Sequence, residues 1–512
     1  MSRALRILIV LAVLCSGGSS PAAAEDPALE RGTAITDPMS LRKLDRADGL
    51  AIERILGAER NADVPFTNDL LFSRLPQLAQ IRPAIDAEFD RYVARHKAAS
   101  PNETVGFGEG FDVQIFDRAA LNSRDARFVL AGIVNRMDRA YVSEASCGEI
   151  RLIYRLTRFE AKPDGGEAAS RLPMTLNLIL KARHDGQIDR SGKPVDCAEI
   201  ARRWLGNSGW LDLITSGNSR SDAVLNRIET NTQIAFVPKS ASHDFRTDYL
   251  LKVFKYDAES RVFEEAPLEN QIDRDRILAD DNLARDFKVW LLEPDHFREF
   301  DRGTVLIPET FLAKAAIAPT PAGFDPSGKQ PEFGLMQGEG TANPIFTEED
   351  VVSALKRAAE RGIAMDNIRS VAGFQRRLND ITCAGCHQTR GIGGFHFPGV
   401  DWLAERPSNS TIVPASPHFF GDQIRRRDIL TAFRDGKRPD FSRGFSDRPQ
   451  TRGSTELAGT GYQDGWGAHC YLPPAGSPDR DRSFVSWTCA KGLACQVAGT
   501  SSRMGMCFVT TR

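Results

Sequence analysis

Residues 149–159, EIRLIYRLTRF, and residues 173–183, PMTLNLILKAR, decide the fold that this sequence predicts. In both runs the apolar residues recur at a period close to two, which is typical of β-strands. Three further runs of this kind are DVQIFDR at 112–118, TQIAFVP at 232–238 and YLLKVFKYDAESRVFEEAPL at 249–268. The last run predicts a hairpin that turns around Asp257 to Ser260. We therefore expect a sheet in the middle of the chain.

Helical patterns surround these strands. Residues 75–96, LPQLAQIRPAIDAEFDRYVARH, have apolar side chains three or four positions apart, as on the buried face of a helix. These apolar residues are Leu75, Leu78, Ile81, Ile85, Phe89 and Tyr92. We expect helices at 196–206 and 220–229 to pack on the sheet, and residues 282–298 to be helical again. The Pro- and Gly-rich residues 318–334 then predict a linker or long loop.

Beyond the linker the pattern is again helical. Thr347 followed by Asp350 predicts a capping box, and Gly362 stands where a left-handed cap would end that helix. A second helix is expected at about Asp366 to Leu378, and a third near residues 421–436. The second helix leads the chain to a cysteine pair at 383 and 386.

The first 24 residues predict a secretory leader. Two arginines precede a short apolar run, and small residues end in an Ala-x-Ala form before Glu25. Lipidation at Cys15 is disfavoured because Leu14 stands where a small residue is expected. No later stretch approaches the roughly 20 apolar residues of a membrane-spanning helix, so we expect a soluble periplasmic or secreted protein.

Composition is that of an ordinary globular protein, with 41% hydrophobic and 26% charged residues among 512. The formal charge of −2 becomes −4 when Arg3 and Arg6 leave with the leader, and nothing indicates a nucleic-acid partner. The sequence predicts an α+β multidomain protein with five parts. These are the leader at 1–24, a helical N-terminal region at 25–105, a β-rich domain at 106–320, a mostly helical region at 321–460 and a cysteine-rich module at 461–512.

Eight cysteines remain after the leader, and in an oxidising compartment each is first expected to form a disulfide. Cys147 and Cys197 lie in the same middle region, and we expect them to pair. The last four cysteines fall within a short segment rich in Gly, Ser and Pro, and predict a small disulfide-stapled module. They are Cys470, Cys489, Cys495 and Cys507.

Residues 381–399, ITCAGCHQTRGIGGFHFPG, contain a Cys-x-x-Cys-His motif. This spacing attaches haem c covalently, because two thiols add to the haem vinyl groups while the adjacent histidine binds the iron. Cys383 and Cys386 are therefore the predicted attachment sites, and His387 is the predicted proximal ligand. Export agrees independently, since c-type haem is attached outside the cytoplasm.

Three other interpretations of the motif stay open. Cys383 and Cys386 could form a plain disulfide beside an uninvolved His387. A redox-active pair is less favoured, because Thr382 replaces the aromatic residue that often precedes such pairs. Zinc is the third interpretation, with Cys383, Cys386, His396 and one of His387 or His418 as ligands of suitable type but irregular spacing.

The sixth iron ligand is predicted to be His396. No methionine occurs between Met365 and Met504, which disfavours the usual downstream methionine. Glycines between His387 and His396 let the chain double back, because glycine accepts positive φ without strain. His418 is the alternative and Met365 a poor third, while a loop histidine without a ligand role is an equal interpretation of His396.

The order of several motifs resembles a known group of sequences. The motifs are VLAGIVNRMDRAY at 129–141, CGEIRLIYRLTRF at 147–159, LPMTLNLILKAR at 172–183, LNRIETNTQIAF at 225–236 and RLNDITCAGCHQTRGIGGFHF at 377–397. In this order they resemble large secreted bacterial proteins, frequent in myxobacteria, that carry a Cys-x-Gly-Cys-His segment near the C-terminus. That group has no assigned activity.

The resemblance covers about residues 105–440. Its pattern matches Cys383, Gly385, Cys386 and His387, and after a short stretch Phe395 and His396. This chain departs from the pattern at His418, where an arginine after proline would be expected. The cysteine-rich module lies outside the resemblance.

Two classes of function follow from the sequence. The first is an exported protein with one covalent haem that serves electron transfer or sensing, with peroxide chemistry open if the iron keeps a free position. The second is an extracytoplasmic binding protein whose cysteines are structural, or one with zinc in place of haem. Hydrolase, P-loop and dinucleotide motifs are absent from the sequence, so an enzymatic role is undecided and the redox or surface partner is unknown.

Overall fold

The computed structural model describes fourteen stretches of the chain. They are residues 33–35, 38–46, 48–58, 65–163, 165–189, 191–215, 222–238, 246–320, 345–383, 417–444, 469–472, 488–489, 492–497 and 504–509. The predicted leader lies outside these residues.

Ten strands of the described chain form one sheet. They are β1 (Ala34–Ile35), β2 (Val105–Gly106), β3 (Val113–Ile115), β4 (Ala126–Arg136), β5 (Glu149–Ala161), β6 (Glu167–Lys181), β7 (Leu225–Val237), β8 (Arg246–Asp257), β9 (Val262–Ala266) and β10 (Ala315–Thr320). The order is β1-β4-β5-β6-β7-β3-β2, and β8 pairs with β7, β9 and β10. Only β2 and β3 pair in parallel within this described sheet.

The helices of the described chain precede, interrupt and follow the sheet. They are α1 (Pro38–Leu44), α2 (Ile52–Ile55), α3 (Asn68–Arg74), α4 (Ile81–Ala99), α5 (Cys197–Leu205), α6 (Trp210–Thr215), α7 (Arg274–Ala279), α8 (Asp281–Leu291), α9 (His296–Arg302), α10 (Glu348–Glu360), α11 (Val371–Asp380) and α12 (Pro417–Arg434). Among them none is long and apolar enough to cross a membrane.

The first face of the sheet is apolar and covered by helices. On β5, Leu152 and Tyr154 point to this face, because successive strand residues alternate between the two sides. Phe89 of α4 and Trp204 of α5 pack in the same core. The Tyr154 hydroxyl donates a hydrogen bond of 2.7 Å to the carbonyl of Leu50, so this buried polar group has a partner.

A second core lies among the helices from α7 to α11. Phe287, Phe297 and Phe374 are fully buried in it, and the rings of Phe297 and Phe374 stack with their centroids 5.1 Å apart. Ile381, just after α11, still belongs to this core. Two residues later the chain reaches the second face of the sheet, which is the face of Arg151 and Arg155.

Several sequence predictions are confirmed. The chain is α+β with a large antiparallel sheet, and β8 and β9 form the predicted hairpin. Cys147 and Cys197 form a disulfide. Thr347 and Asp350 form the capping box of α10, and Gly362 has a φ of +72°.

The helix predicted at 220–229 is wrong. A short 3₁₀ turn at Asp222–Val224 is followed at once by β7. Here pairing with β6 on one side and β8 on the other outweighs the helical spacing of Leu225 and Ile228. The linker predicted at 318–334 is also wrong at its start, because residues 318–320 belong to β10, while residues 321–334 lie outside the described chain.

The C-terminal module contains three short antiparallel strands in its described part, β11 (His469–Tyr471), β12 (Leu493–Val497) and β13 (Met504–Val509). Cys470 lies on β11, and Cys495 on β12 faces Cys507 on β13 in register. Cys489 and Cys495 are both disulfide-bonded. The disulfide-stapled module at 461–512 stays a prediction.

Candidate functional site

Cys383 lies where the second core meets the sheet. It follows the end of α11 by three residues and is only 7% exposed. Its side chain packs against Leu251, Val253 and Ala316 on the second face of the sheet. The sulfur lies 3.5 Å from the backbone carbonyl oxygen of Glu269. The first cysteine of the motif is therefore held by the sheet as well as by the helix before it.

Cys383 also lines a cavity of about 510 Å³ between the second face and the loops after β9 and α9. The wall near the cysteine is apolar and consists of Val253, Ala266, Leu306, Ile307, Leu312 and Ile381. The rest of the lining is strongly charged. A cavity of this size, partly apolar with convergent polar groups, is typical of a site for a small molecule or cofactor.

Nine charged side chains line the cavity, and six of them are connected to one another. We call these six the charge ladder: Arg139, Glu149, Arg151, Arg227, Glu229 and Glu269. Glu149 accepts hydrogen bonds of 3.1 Å from both Arg151 and Arg227. Arg151 also donates a hydrogen bond of 3.2 Å to Glu229. Arg139 lies 3.3 Å from Glu149 and donates to Glu269, whose carbonyl contacts Cys383. The ladder therefore connects the middle of the sheet to Cys383.

Strand alternation and register create the ladder. Glu149 and Arg151 are two apart on β5, and Arg227 and Glu229 are two apart on β7, so each pair points to one face. Between them on β6, Asn177 is the register partner of both Ile153 and Glu229. Ile179 of β6 is likewise the register partner of both Arg151 and Arg227, so the two arginines share one row. Glu149 and Glu229 lie two residues to either side of that row, and each therefore reaches the arginine of the other strand diagonally.

Two carboxyl groups of the ladder have lowered pKa values. Burial opposes the charge of Glu149, but attraction by Arg227, Arg139 and Arg151 outweighs it and holds the pKa of Glu149 well below its ordinary value. Burial likewise opposes charge on Glu269, yet Arg139 keeps the pKa of that carboxyl lowered. The surrounding arginines therefore favour the charged form of both groups.

A second buried group, which we call the Asp138 cluster, lies beside the ladder. The Asp138 carboxylate accepts hydrogen bonds of 2.8 Å from each of Arg136, Arg425 and Arg443. Its side chain is fully buried, and the opposing effect of burial is outweighed by the arginines, so its pKa is well below the ordinary value. Asp422 on α12 accepts further hydrogen bonds from Arg425 and Arg426.

The Asp138 cluster joins three distant parts of the chain. Arg136 ends β4, Arg425 lies on α12, and Arg443 lies in the segment after α12. Arg377 of α11 donates to the carbonyls of Asp301 and Arg443, which ties that segment to the second core. α12 is therefore fixed to the turn after β4, and its Leu430 packs in the same core as Trp204 of α5.

None of the other predicted ligands is among the described residues that line this cavity. Cys386, His387 and His396 lie outside the described residues. His418 lies in α12, and its side chain is outside the described part of the chain. Met365 packs against the second core and is not among the described residues that line the cavity. Within the described chain no group of three His, Cys, Asp or Glu side chains is placed to bind a metal ion.

Sequence reasoning missed the charge ladder and the Asp138 cluster. The only available signal was the alternation of charges inside the strand runs, as in Glu149 and Arg151 or Arg227 and Glu229. Such alternation is typical of a sheet face in water, yet these side chains are 4–16% exposed. Comparison with known protein families, curated protein sequences and solved structures finds no match to this chain.

Proposed function

We propose that this is an exported protein with one covalently attached c-type haem that serves electron transfer or haem-based sensing. The Cys-x-x-Cys-His spacing carries the chemistry, with Cys383 and Cys386 as the thioether positions and His387 as the proximal ligand. When bound, haem supplies one-electron redox chemistry or an iron position for a small ligand.

One structural observation carries the proposal, which is the position of Cys383 on the wall of the cavity. A haem has an apolar ring and two carboxylate tails. The cavity offers an apolar wall next to Cys383, and its five arginines and lysines outnumber its four glutamates, which supports the binding of such a group. The contact between the Cys383 sulfur and the Glu269 carbonyl orients the cysteine toward this wall.

The remaining residues bind and shield rather than react. Val253 and Leu312 exclude water from the cysteine side of the cavity. Because the charge ladder pairs three arginines with three glutamates, it adds no net charge to the cavity. It therefore supplies fixed hydrogen-bonding groups without a large field of one sign.

Export to the periplasm or beyond is supported by the disulfide between Cys147 and Cys197, because such bonds persist in oxidising compartments. The leader pattern in residues 1–24 points the same way. We also infer a finer division of the α+β fold into the N-terminal helical region at 25–105, the β-rich domain at 106–320, the mostly helical region at 321–460 and the module at 461–512.

A direct test expresses the full chain in a host that attaches c-type haem outside the cytoplasm. We expect a red protein that keeps its Soret band after acid-acetone extraction, because the thioether bonds are covalent. Cys386→Ser and His387→Ala should lose or strongly alter the band, whereas His296→Ala, whose histidine contacts the Trp290 carbonyl at 2.7 Å, should keep it. A colourless wild-type protein with intact disulfides would favour the alternative, a disulfide-stapled binding protein, and zinc analysis would separate the metal variant of that alternative.

A further inference from the structure

The sheet side of the cavity has more positive than negative charge. Among the described residues it contributes Arg151 and Arg227 together with Lys181 and Lys255, against Glu149 and Glu229. The two arginines and two glutamates neutralise one another within the charge ladder. The two lysines are left over.

Lys181 and Lys255 are exposed at the cavity and have no ion pair with a described carboxylate. Lys255 on β8 is the direct register partner of Arg227 on β7. Like charges directly opposite each other destabilise an antiparallel pair. Lys255 also has Glu264 of β9 opposite it in register, and Lys181 has Glu149 of β5, so this face combines one like-charge contact with two opposite-charge contacts.

The opposite side of the cavity is apolar and partly open to solvent. Leu306 is 42% exposed and Val142 is 38% exposed, although both are large apolar side chains at the cavity. Below them Ile307 and Leu312 are buried. Glu269 and Glu309 also line this side, so a largely apolar wall with two carboxylates faces the two lysines.

We propose that this cavity binds an organic carboxylate, with its apolar body against Leu306, Ile307 and Leu312 and its anionic head against Lys181 and Lys255. The same chemistry has two sources: a free organic acid from solution, or the carboxylate tails of a haem held at Cys383. The site itself does not rest on the proposed haem, since its charges and apolar wall belong to the chain.

The test uses octanoate as the probe and the full chain as the protein. Isothermal titration of the Cys383→Ser, Cys386→Ser variant measures the site without covalent haem, and titration of the wild type measures it as produced. We expect octanoate to bind the double serine variant more than about tenfold more tightly than octan-1-ol, as for a charge-assisted contact. Binding to both proteins identifies a free acid as the ligand, and binding only to the serine variant identifies the carboxylates of a covalent haem.

Lysine variants test the cationic wall. Lys181→Gln with Lys255→Gln should weaken octanoate binding by more than about tenfold and leave octan-1-ol binding unchanged. Lys314→Gln is the matched control, because Lys314 is an exposed lysine that lines a different cavity. Equal affinity for octanoate and octan-1-ol, no binding of octanoate to the serine variant, or an unchanged affinity in the lysine variant would overturn the proposal. If the wild type contains no haem, the proposed function is wrong, but the octanoate measurements still test the carboxylate site.

Discussion

Replacing Asp138 by asparagine should loosen the attachment of α12 to the turn after β4. The carboxylate is fully buried and accepts from three arginines that belong to β4, α12 and the segment after it. Asparagine keeps the shape and one acceptor oxygen but removes the charge. Arg425 and Arg443 would then be buried beside a neutral group.

Removing one charge of a buried ion pair typically lowers the free energy of unfolding by about 3–5 kcal/mol, and this is the loss expected here. Arg425 keeps a second carboxylate in Asp422 at 2.7 Å, so part of the loss is compensated and the lower end of that range is expected. Because a chain of several parts need not unfold in one step, the loss should show as local opening of α12 rather than as a shift of the whole unfolding curve.

Amide hydrogen exchange followed by mass spectrometry measures this opening directly. Peptides covering 417–444 should exchange faster in Asp138→Asn by a factor that corresponds to about 3 kcal/mol, whereas peptides of β5 should change little. Asp440→Asn is the control, because its pair with Arg302 is 2.9 Å long but the Asp440 side chain is 76% exposed. For such an exposed pair we expect a change below about 1 kcal/mol. Equal effects of the two variants would refute the role assigned to the Asp138 cluster.

The same variant has a defined pH signature. The pKa of Asp138 is lowered in the folded chain, so its stabilisation is present above the unfolded pKa of about 3.9 and is lost as pH falls through the folded value. The wild type should therefore become less protected at 417–444 as the pH falls below about 4, and Asp138→Asn should lack this part of the acid response. A parallel acid response in both proteins would contradict the assignment.

Three further predictions concern the described chain around the cavity. Replacing both Cys147 and Cys197 by alanine removes a crosslink between residues 50 positions apart. From the loop-closure entropy of the unfolded chain, the free energy of unfolding should fall by about 4 kcal/mol, measured by urea unfolding against the oxidised wild type. Gly148→Ala should lower the free energy of unfolding by more than about 2 kcal/mol in thermal unfolding, because Gly148 has a φ of +87° and an added Cβ would lie 2.6 Å from the Arg136 carbonyl. Gly186→Ala should cost less, because Gly186 has a φ of +75° but open space around its Cα. Tyr154→Phe leaves the buried Leu50 carbonyl without its donor and should cost about 1–2 kcal/mol, and no loss of unfolding free energy would show that water replaces the hydroxyl.

Local signals explain which parts of the fold the sequence predicts. The strands at 149–159 and 173–183 follow from alternation, and the α10 capping box follows from Thr347 and Asp350, because each depends on residues close in the chain. The second half of β7 follows from the predicted strand run at 232–238, but its first half was predicted as helix because the spacing of Leu225 and Ile228 suits a helix. Only pairing with β6 and β8 decides otherwise.

The candidate site depends on contacts that no local pattern specifies. Arg151 meets Glu229 across 78 residues, and Arg443 meets Asp138 across 305. In sequence these side chains look like a solvated face, since a lone charge is rarely buried. Their burial follows only from the register of β5, β6 and β7 and from the position of α12.

The position of Cys383 also changes what the motif requires of the fold. The sequence predicts a linker or long loop at 318–334 between the sheet and the cysteine pair. Cys383 instead packs against Leu251 and Val253, and its sulfur contacts the Glu269 carbonyl. A buried thiol replaced by serine adds a hydroxyl to an apolar cluster, which costs about 1–3 kcal/mol where the hydroxyl finds no partner. A group attached at Cys383 therefore affects the packing against β8 directly. Through Glu269 and Arg139 it also affects the charge ladder of β5 and β7. A change at the attached group can in this way alter the packing of the second core on the sheet, which is the property that a sensing role requires and simple electron transfer does not.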